Sequence, residues 1–599
     1  MGSFVFRMQK LSDDGQRASP DGGARGWTVC GPCCARIAND GYGPAATLVS
    51  TPLGLAAGLV RLDNRRRISR MAQCDADRPD LAIVVAALAR HGERCIREFE
   101  GDFAFVFWDA RRNVLIAARD ALGVRMLYRA DDPTERSFAS HAGLLGADRP
   151  WSLEFVADYL ADGGSRTYSL YEGVTVVPQG TYLLADRARD TDHRYWSPFD
   201  FDTTWTVDSP TAIEEFTALF KDAMRAHLTG HEHCWATLSG GLDSSSIVSM
   251  AGWLAATDPG IPKLAGTITF VDTLGIGDER VYSDAVIRDW SVRNEQLIDC
   301  RPWQEEQDEG ELFIGDTPEG CASRARDQHT CRIVCSDGGR ILLHGSGPDH
   351  YLHGDYSYFT DWIAKGRIRD AVREMFNESV RNKASFWKLV YRRGVRAFVE
   401  GESRPSDRWP EWVHPSFARR FPIDDRVRLG QPRPGRAGRY FVTHTANNVA
   451  NFDFAVARGL MGERLDNRYP FLHRPLVEFC LRLPPEMKVT DGRHKWILRE
   501  ALRGILPEEV RQRTSKGFVN GGIERSYTLQ HARLDALLAQ SVLGDMGCID
   551  VPLARKALAE RTNRSLSEES NLECLLHLEA WLALRSGRWV VKEAAVSAA

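Results

Sequence analysis

A short loop rich in glycine and serine, lying between two apolar segments, constrains the fold more than any other feature of this chain. Residues 238–245 read Leu-Ser-Gly-Gly-Leu-Asp-Ser-Ser, with an apolar run at 234–238 and apolar residues at helical spacing over 245–256. A strand, a tight glycine turn and a helix in this order are typical of a parallel α/β unit. Glycine lets the backbone approach an anion closely, and a helix N-terminus favours negative charge. The sequence therefore predicts a phosphate site at this turn.

The loop differs from a Walker loop because no Gly-Lys-Ser/Thr follows its glycines. Instead, Asp243 stands where a carboxylate can hold a divalent cation against phosphate oxygens. A simpler alternative is that Asp243 or Ser244 only caps the helix, but the flanking strand and helix favour the phosphate site. The residues predicted to bind the nucleotide here are Leu238, Ser239, Gly240, Gly241, Asp243 and Ser244.

The pattern of elements changes near residue 205. Residues 1–200 contain short alternating apolar segments, which are typical of a β-rich α+β domain. These segments include residues 103–108, 114–117 and 181–184. Beyond a segment rich in Asp, Thr, Ser and Pro, strands alternate with helices to about residue 520. We therefore predict two domains, 1–205 and 206–599, the first α+β and the second α/β with a parallel sheet.

The overall charge argues against some partners. The 599 residues carry 77 Lys and Arg against 81 Asp and Glu, a net charge of −4, so no basic field over the whole molecule attracts nucleic acid or an anionic membrane. The longest apolar run, residues 81–89, is shorter than the roughly 18 residues that a membrane span needs. Thirteen cysteines without regular spacing, Cys30, Cys33 and Cys34 among them, indicate reduced thiols. We expect a cytoplasmic protein that binds neither nucleic acid nor membrane.

The loop and two later segments together resemble one enzyme family. The loop matches the Ser-Gly-Gly-x-Asp-Ser fingerprint of ATP pyrophosphatases, and residues 341–356 resemble the second signature of asparagine synthetases. Residues 468–518 are similar to the C-terminal half of the same family. The resemblance implies an enzyme that cleaves ATP between the α and β phosphates, adenylates a substrate oxygen and forms an amide.

The resemblance also implies a role for individual residues. Asp243 and Asp349 would hold Mg²⁺ on the leaving pyrophosphate. Lys495 and Lys516 would contact pyrophosphate, and Lys516 would also lie at the reacting centre, where an ammonium stabilises developing charge. The expected cofactors are therefore ATP and Mg²⁺, and the expected catalytic residues are Asp243, Asp349 and Lys516.

Four positions depart from the family's pattern. Ser346, which with Gly345 is predicted to line the ATP site, replaces the glutamate of asparagine synthetases and the tyrosine of β-lactam-forming relatives. His344 replaces a serine, His350 the second acid of the signature, and His473 an aspartate. The family's usual substrate contact or base at position 346 is therefore not expected here.

The first domain resembles the glutaminase domain of asparagine synthetases, an Ntn-type fold, through residues 59–65, 100–109 and 118–128. That glutaminase uses the cysteine that follows the initiator methionine, whose free amine is the base for its own thiol. Gly2 occupies that position here, and the nearest cysteine is Cys30. We therefore expect a degenerate glutaminase-like domain that lacks its nucleophile, releases no ammonia and serves as a scaffold.

An ATP site without an ammonia source implies another amine. β-Lactam and carbapenam synthetases rely on a Tyr/Glu pair that Ser346 does not supply. A lasso peptide cyclase instead adenylates an Asp or Glu side chain of a precursor peptide, and the peptide's own N-terminal amine closes the macrolactam ring. The Trp-, Pro- and Arg-rich residues 401–439 are similar to a segment of these cyclases and suit gripping a folded peptide, although such residues are equally typical of a loop packed on its own domain.

The combined prediction is a lasso peptide macrolactam synthetase. By resemblance its partners are a ribosomal precursor peptide, a leader peptidase and a leader-recognition protein. Two alternatives stay open: an asparagine or β-lactam-forming synthetase, and a non-catalytic scaffold, which the departures from the family's pattern suggest. Retention of Asp243, Asp349 and Lys516 argues against the scaffold.

Overall fold

The computed structural model describes most of the chain. The described residues are 2–10, 26–39, 44–165, 167–186, 189–201, 207–273, 279–300, 303, 318, 322–354, 358–381, 383, 385–396, 409–423, 441–450, 464–490, 493–513, 520–561 and 566–588.

Up to residue 201 the chain forms two antiparallel sheets of six strands each. In spatial order, the first contains Val174–Val176, Tyr128–Asp131, Glu135–Ala139, Ser3–Gln9, Cys33–Ala38 and Thr28–Cys30. The second contains Asp190–Arg194, Thr181–Ala185, Val114–Arg119, Gly101–Asp109, Gly54–Leu62 and Thr47–Thr51. Phe4 and Phe6 of the first sheet share a buried core with Leu55 and Trp108 of the second, so the sheets pack face to face.

The helices of this part cover the outer faces of the sheets. They are Arg65–Ala72, Asp80–His91, Gly143–Gly146 and Leu153–Asp162, with 3-10 turns at Glu93–Glu98 and Pro198–Asp200. Successive side chains of the strand Gly101–Asp109 point to opposite faces of its sheet. Phe103, Phe105 and Phe107 therefore point away from the other sheet and pack on the helix Asp80–His91.

From residue 209 onward a five-stranded parallel sheet organises the chain. Its order is Asn294–Ile298, Gly266–Val271, Cys234–Thr237, Ile341–Leu343 and Asp466–Arg468. Two strands are added on one side of Cys234–Thr237, and the next strand in sequence returns to its other side. Such a reversal leaves a crevice at the carboxyl ends of the two central strands, where ligands of open α/β sheets bind.

Helices surround this sheet and extend to the C-terminal part of the chain. They are Ser209–Leu228, Leu242–Thr257, Arg280–Trp290, Arg324–Ser336, Pro348–Tyr351, Tyr358–Ala364, Ile368–Arg381, Phe386–Leu389, Pro415–Arg420, Asn447–Ala450, Arg474–Arg482, Trp496–Ala501, Glu508–Gln512, Asn520–Ala539, Val542–Asp545, Val551–Ala559 and Leu566–Arg585. Smaller elements are 3-10 turns at Pro470–Leu472 and Pro485–Met487, π-helical turns at Val390–Arg396 and Phe441–Ala446, and a hairpin of Val489–Thr490 with Arg493–His494. No helix in the described part of the chain combines the length and apolarity needed to cross a bilayer.

The mixed α/β prediction is confirmed, with antiparallel sheets before residue 200 and a parallel sheet after it. The apolar segment 103–108 forms the centre of the strand Gly101–Asp109. The helix expected over 245–256 begins earlier, at Leu242, because Gly241 already takes the extended backbone of an N-cap residue. The predicted domain boundary near residue 205 lies outside the described residues.

A buried ion pair and a buried hydrogen bond join the antiparallel sheets to the parallel sheet. Arg125 Nη2 lies 2.7 Å from Asp466 Oδ1, and His473 Nδ1 lies 2.9 Å from Asp63 Oδ2. Burial alone would raise the pKa of Asp466, but Arg468 and Arg125 hold it below its usual range. The two halves of the chain are therefore fixed against each other by a buried ion pair, which salt screens little, and by a hydrogen bond.

Candidate functional site

The predicted phosphate loop lies at the reversal point of the parallel sheet. Leu238 continues the strand Cys234–Thr237, donating its N–H to Ile268 O at 2.8 Å, and the turn then leads into the helix Leu242–Thr257. The second predicted segment, which starts at Gly345, leaves the carboxyl end of the adjacent strand Ile341–Leu343. The sheet therefore brings together two loops that are about a hundred residues apart in the sequence.

Hydrogen bonds within the first loop fix its shape. Ser239 N donates to Ser244 Oγ at 3.1 Å, and the two serine hydroxyls lie 3.0 Å apart. Gly241 N donates to Ser239 Oγ at 3.2 Å. The serines predicted to bind phosphate thus also bind each other across the helix N-terminus, which holds the loop ready for an anion.

At two positions of these loops, other backbone atoms come so close that a glycine is required. Gly240 has φ +76°, and a Cβ atom there would lie 2.7 Å from Glu279 O. A Cβ atom at Gly345 would lie 2.6 Å from Ser244 N. The second loop therefore sits directly on the N-terminal turn of the helix Leu242–Thr257, which only a residue without a side chain allows.

Asp243, Asp349 and Lys495 meet in this crevice. Lys495 Nζ donates to Asp243 Oδ2 and lies 2.7 Å from Asp349 Oδ1. Lys495 is buried and has φ +57°, an unfavourable left-handed conformation for a residue with a side chain. Such local strain is typical of functional positions.

The electrostatics of this cluster favour a charged lysine. Burial lowers the pKa of Lys495, but Asp243 and Asp349 outweigh burial, and the pKa ends above its usual value. A fixed ammonium therefore lies between two carboxylates at the mouth of the phosphate loop. Asp349 is half exposed, with 47% of its side chain accessible, so the cluster is open to a ligand from solvent.

Arg513 is a residue whose role the sequence did not indicate. Its Nη1 donates to Gly240 O at 3.0 Å, its guanidinium pairs with Glu279, and it stacks 4.3 Å from the ring centroid of Tyr282. Arg513 thus ties the phosphate loop to the chain that leads into residues 514–519. In the sequence, the one feature that could have indicated this role is that Arg513 begins the segment that contains Lys516.

The structure places the remaining predicted residues as follows. Lys516 lies outside the described residues, as does most of the segment 401–439. Ser346 is exposed next to Gly345. In the part of the 401–439 segment that the structure describes, Trp412 and Phe417 are buried against the C-terminal helices. These two aromatic side chains stabilise the domain itself and are not available to grip a peptide.

The histidines that depart from the family's pattern have structural partners. His344 Nε2 lies 3.0 Å from Asn467 Oδ1 and the ring stacks on Tyr469, while burial lowers its pKa to about 4. His344 is therefore neutral near pH 7. His473 contacts Asp63, so this histidine connects the two halves of the chain.

Position 2 has no room for a side chain. A Cβ atom at Gly2 would lie 1.8 Å from Pro44 O. On the neighbouring strand Cys33–Ala38, Cys33 is buried and Cys34 has its pKa raised by burial and by Glu135. Neither thiol is in the electropositive, exposed setting that activates a cysteine.

Comparisons with known proteins decide the family. The profile described as Asparagine synthase matches residues 215–583, more than half of the chain. The chain belongs to the asparagine synthase family. A profile described as Glutamine amidotransferase domain also matches residues 65–196, which contain most of the second antiparallel sheet.

Individual relatives of this asparagine synthase family protein are distant. The glutamine-hydrolyzing asparagine synthetase 3 of Bacillus subtilis (strain 168) is 25% identical over 447 residues, covering 72% of this chain and 69% of the relative. Amidase chry2 of Gibberella zeae is 21% identical over 547 residues, covering 81% and 79%. A putative glutamine-hydrolyzing asparagine synthetase of Mycobacterium tuberculosis (strain H37Rv) is 24% identical over 484 residues, covering 73% and 69%. Members of the family are ATP-dependent carbon–nitrogen ligases.

The cluster fits the Mg²⁺ that this family generally uses with ATP. One ammonium, Lys495 Nζ, already lies within hydrogen-bond distance of both Asp243 and Asp349. Two carboxylates that converge on one positive centre are the donor set that Mg²⁺ shares with substrate phosphates. Asp243 and Asp349 are therefore the residues that would hold the ion.

Proposed function

We propose that this protein is an ATP-dependent, AMP-forming lasso peptide macrolactam synthetase. One combination carries the proposal: the ATP-site cluster of Asp243, Asp349 and Lys495 is assembled, while Gly2 leaves no room for a thiol at the position of the glutaminase nucleophile. The cluster supports adenylation of a carboxylate, and Gly2 supports an amine that does not come from glutamine.

The proposed reaction has two steps. A carboxylate oxygen of an Asp or Glu side chain in the peptide attacks the α-phosphorus of ATP, and the bond to the β-phosphate oxygen breaks, releasing pyrophosphate. The N-terminal amine of the same peptide then attacks the acyl carbon, loses a proton, and AMP leaves with the bonding electron pair. The products are an isopeptide ring, AMP and pyrophosphate.

Several residues of this chain would serve these steps. The loop of Ser239 and Ser244 would bind phosphate oxygens, and Lys495 would offset charge on the leaving pyrophosphate. Asp243 and Asp349 would hold Mg²⁺, which supplies Lewis-acid stabilisation when bound. We expect Lys516 to stabilise charge at the acyl carbon.

The attacking amine needs little help from a protein base. An α-amine has a pKa of about 7.7–8.0, so part of it is unprotonated at neutral pH. The exposed Ser346, which stands where relatives carry a glutamate or tyrosine, is compatible with a substrate that supplies its own nucleophile. Holding amine and acyl-adenylate within attack distance would then provide most of the rate.

A second candidate is an asparagine synthetase that uses free ammonia. The names of the Bacillus subtilis and Mycobacterium tuberculosis relatives favour it. Both of those names also specify glutamine hydrolysis, for which the described residues offer no thiol at position 2. The two candidates differ in the acceptor carboxylate and in the amine.

The test incubates the purified protein with ATP, Mg²⁺ and either a linear core peptide or aspartate with ammonium, and measures AMP and product mass. We expect AMP only with the peptide, together with a peptide product lighter by one water. The Asp243→Asn variant is the control for contaminating ATPases.

The outcomes separate the candidates. AMP and asparagine from aspartate with ammonium, without any peptide requirement, would establish the asparagine synthetase instead. Asparagine formation with glutamine as nitrogen source would overturn the argument from Gly2. No AMP with either substrate would favour a non-catalytic scaffold.

A further inference from the structure

A run of exposed apolar side chains lies on the helix Ile368–Arg381. Ile368, Val372, Phe376 and Val380 recur every fourth residue, and all four are exposed, Val380 by 63%. Residues at this spacing form one line along a helix. The helix buries a different side, where Ala371 and Met375 pack against the helix Tyr358–Ala364.

The next segment continues this apolar line. Trp387, Tyr391 and Val395 are again four residues apart and exposed, Trp387 by 75%. Phe386 joins the two lines, because its ring lies 6.0 Å from that of Phe376 and 5.2 Å from that of Trp387. We call the exposed apolar residues between 368 and 395 the 368–395 face. Contiguous exposed apolar surface of this kind is rare unless it has a binding partner.

Most of the charged residues in the segment that forms the 368–395 face are basic. Between residues 365 and 396 the sequence has ten basic and three acidic residues, a net charge of +7 in a chain of net charge −4. Of the three acids, Glu378 is buried and Asp370 pairs with Arg367 and Arg373. Among the side chains that the structure describes in this stretch, no acidic one is exposed.

Basic residues alternate with the apolar ones in sequence. Arg369 and Arg373 each follow an apolar residue of the helix, and Lys388 and Arg392 each follow an exposed aromatic residue. All four basic side chains are exposed. This combination of aromatic and aliphatic side chains with Lys and Arg is typical of segments that lie in the interface of an anionic bilayer.

We propose that the 368–395 face binds the surface of an anionic phospholipid membrane. The apolar line would enter the boundary between headgroups and acyl chains, and the basic residues would contact lipid phosphates. A protein partner is the competing occupant, and the vesicle experiment distinguishes it from a membrane. This inference does not depend on the proposed function.

The membrane was not expected from the whole sequence because a net charge of −4 averages over a segment, residues 365–396, whose own net charge is +7. Attraction to an anionic surface falls off within a Debye length, about 8 Å at physiological salt. Only the charges near the contact therefore matter. The inner side of the face packs on Val489, in the hairpin that leads to Lys495, so a bound membrane would lie on the same side of the protein as this hairpin.

Co-sedimentation of the full chain with vesicles tests the proposal. We expect at least tenfold more protein to pellet with vesicles of 30% phosphatidylglycerol in phosphatidylcholine than with phosphatidylcholine alone. Raising the salt from 0.1 to 0.5 M should release most of it. The Lys388→Glu/Arg392→Glu and Trp387→Ser/Tyr391→Ser variants should each lose at least tenfold in binding.

Matched controls exclude trivial causes. Leu529→Ser removes another exposed apolar side chain, and Lys263→Glu reverses another exposed basic one, so both should bind like the unaltered protein. Circular dichroism confirms that each variant is folded. Equal pelleting with both vesicle types, or unchanged binding of both double variants, would overturn the proposal. Failure to pellet, combined with a concentration-dependent oligomer that the Trp387→Ser/Tyr391→Ser variant abolishes, would assign the face to a protein interface instead.

Discussion

Lys495 Nζ lies 2.7 Å from Asp349 Oδ1, at the mouth of the loop that contains Asp243. Lys495 directly follows the hairpin of Val489–Thr490 and Arg493–His494. The pairing brings it into contact with the loops that follow the two central strands of the parallel sheet. The Lys495 ammonium therefore contacts both carboxylates of the candidate ATP site.

Replacing Lys495 by Met tests the role of its positive charge. The substitution removes the charge that offsets both carboxylates and, in the proposed reaction, the leaving pyrophosphate. We expect AMP formation to fall by about 100-fold or more, measured by chromatography under saturating ATP. Lys263→Met, which removes an exposed lysine elsewhere, should leave the rate within a factor of two. Unchanged AMP formation in Lys495→Met would remove this residue from the mechanism.

Gly345→Ala tests the contact between the two loops. The added Cβ atom would lie 2.6 Å from Ser244 N, so the loops must move apart. Overpacking of this kind costs about 1–3 kcal/mol, and we expect ATP affinity to fall at least tenfold in isothermal titration. Gly260→Ala is the matched control, because its new Cβ atom would meet only Asp258 Oδ1 at 3.3 Å. Wild-type affinity in Gly345→Ala would show that the loops adjust freely.

Arg125→Met tests the junction between the two halves. It removes the buried partner of Asp466 and leaves that carboxylate with Arg468. Breaking a buried ion pair costs about 3–5 kcal/mol, so the urea midpoint of unfolding should drop clearly. Arg129→Met removes a more exposed arginine that pairs with Asp192, and should change the midpoint little. Equal effects of the two variants would contradict a special role for the buried pair.

Lys488 makes stability depend on pH. Its amine is fully buried without a hydrogen-bond partner among the described residues, and burial lowers its pKa to about 8 from a usual value of 10.5. Below pH 8 both the folded and the unfolded states carry the charge, so the folded state bears the full cost of burying it. Between pH 8 and 10.5 the folded state loses the proton first, and that cost disappears.

Lys488→Met should therefore be more stable than the unaltered protein at pH 7, by about 3 kcal/mol. The advantage should shrink steadily as the pH rises from 8 to 10.5, because only the unaltered protein regains stability in that range. Thermal unfolding of both proteins across this range measures the difference. A difference that stays constant between pH 8 and 10.5 would mean that the folded state does not lower the pKa of Lys488.

Much of the fold was predictable because local signals are strong in this chain. Alternating apolar residues indicated the strand Gly101–Asp109, and the glycine loop indicated the strand and helix around Asp243. The loop also predicted a phosphate site, since glycine, serine and a helix N-terminus act over a few residues. The role of Arg513 was not predictable, because nothing near it in sequence shows that its side chain reaches Gly240.

Tertiary packing also distinguished between two interpretations for part of the segment 401–439. The aromatic residues near 412 suggested a peptide-gripping segment, but Trp412 and Phe417 are buried in the core of the C-terminal helices. Sequence composition is the same for a gripping loop and a packed one. Only the position of the neighbouring helices distinguishes them.

The sequence by itself determined the order of the elements, the two loops that follow the central strands and the glycine at position 2. These depend on side-chain periodicity, on backbone freedom at glycine and on residue identity, all of which are local. The tertiary structure alone decided that Asp243, Asp349 and Lys495 share one charge cluster, that His473 joins the halves through Asp63, and that the 368–395 face is exposed. Each of these results depends on contacts or exposure set by residues far apart in the chain, and long-range distances follow from how the sheets and helices pack.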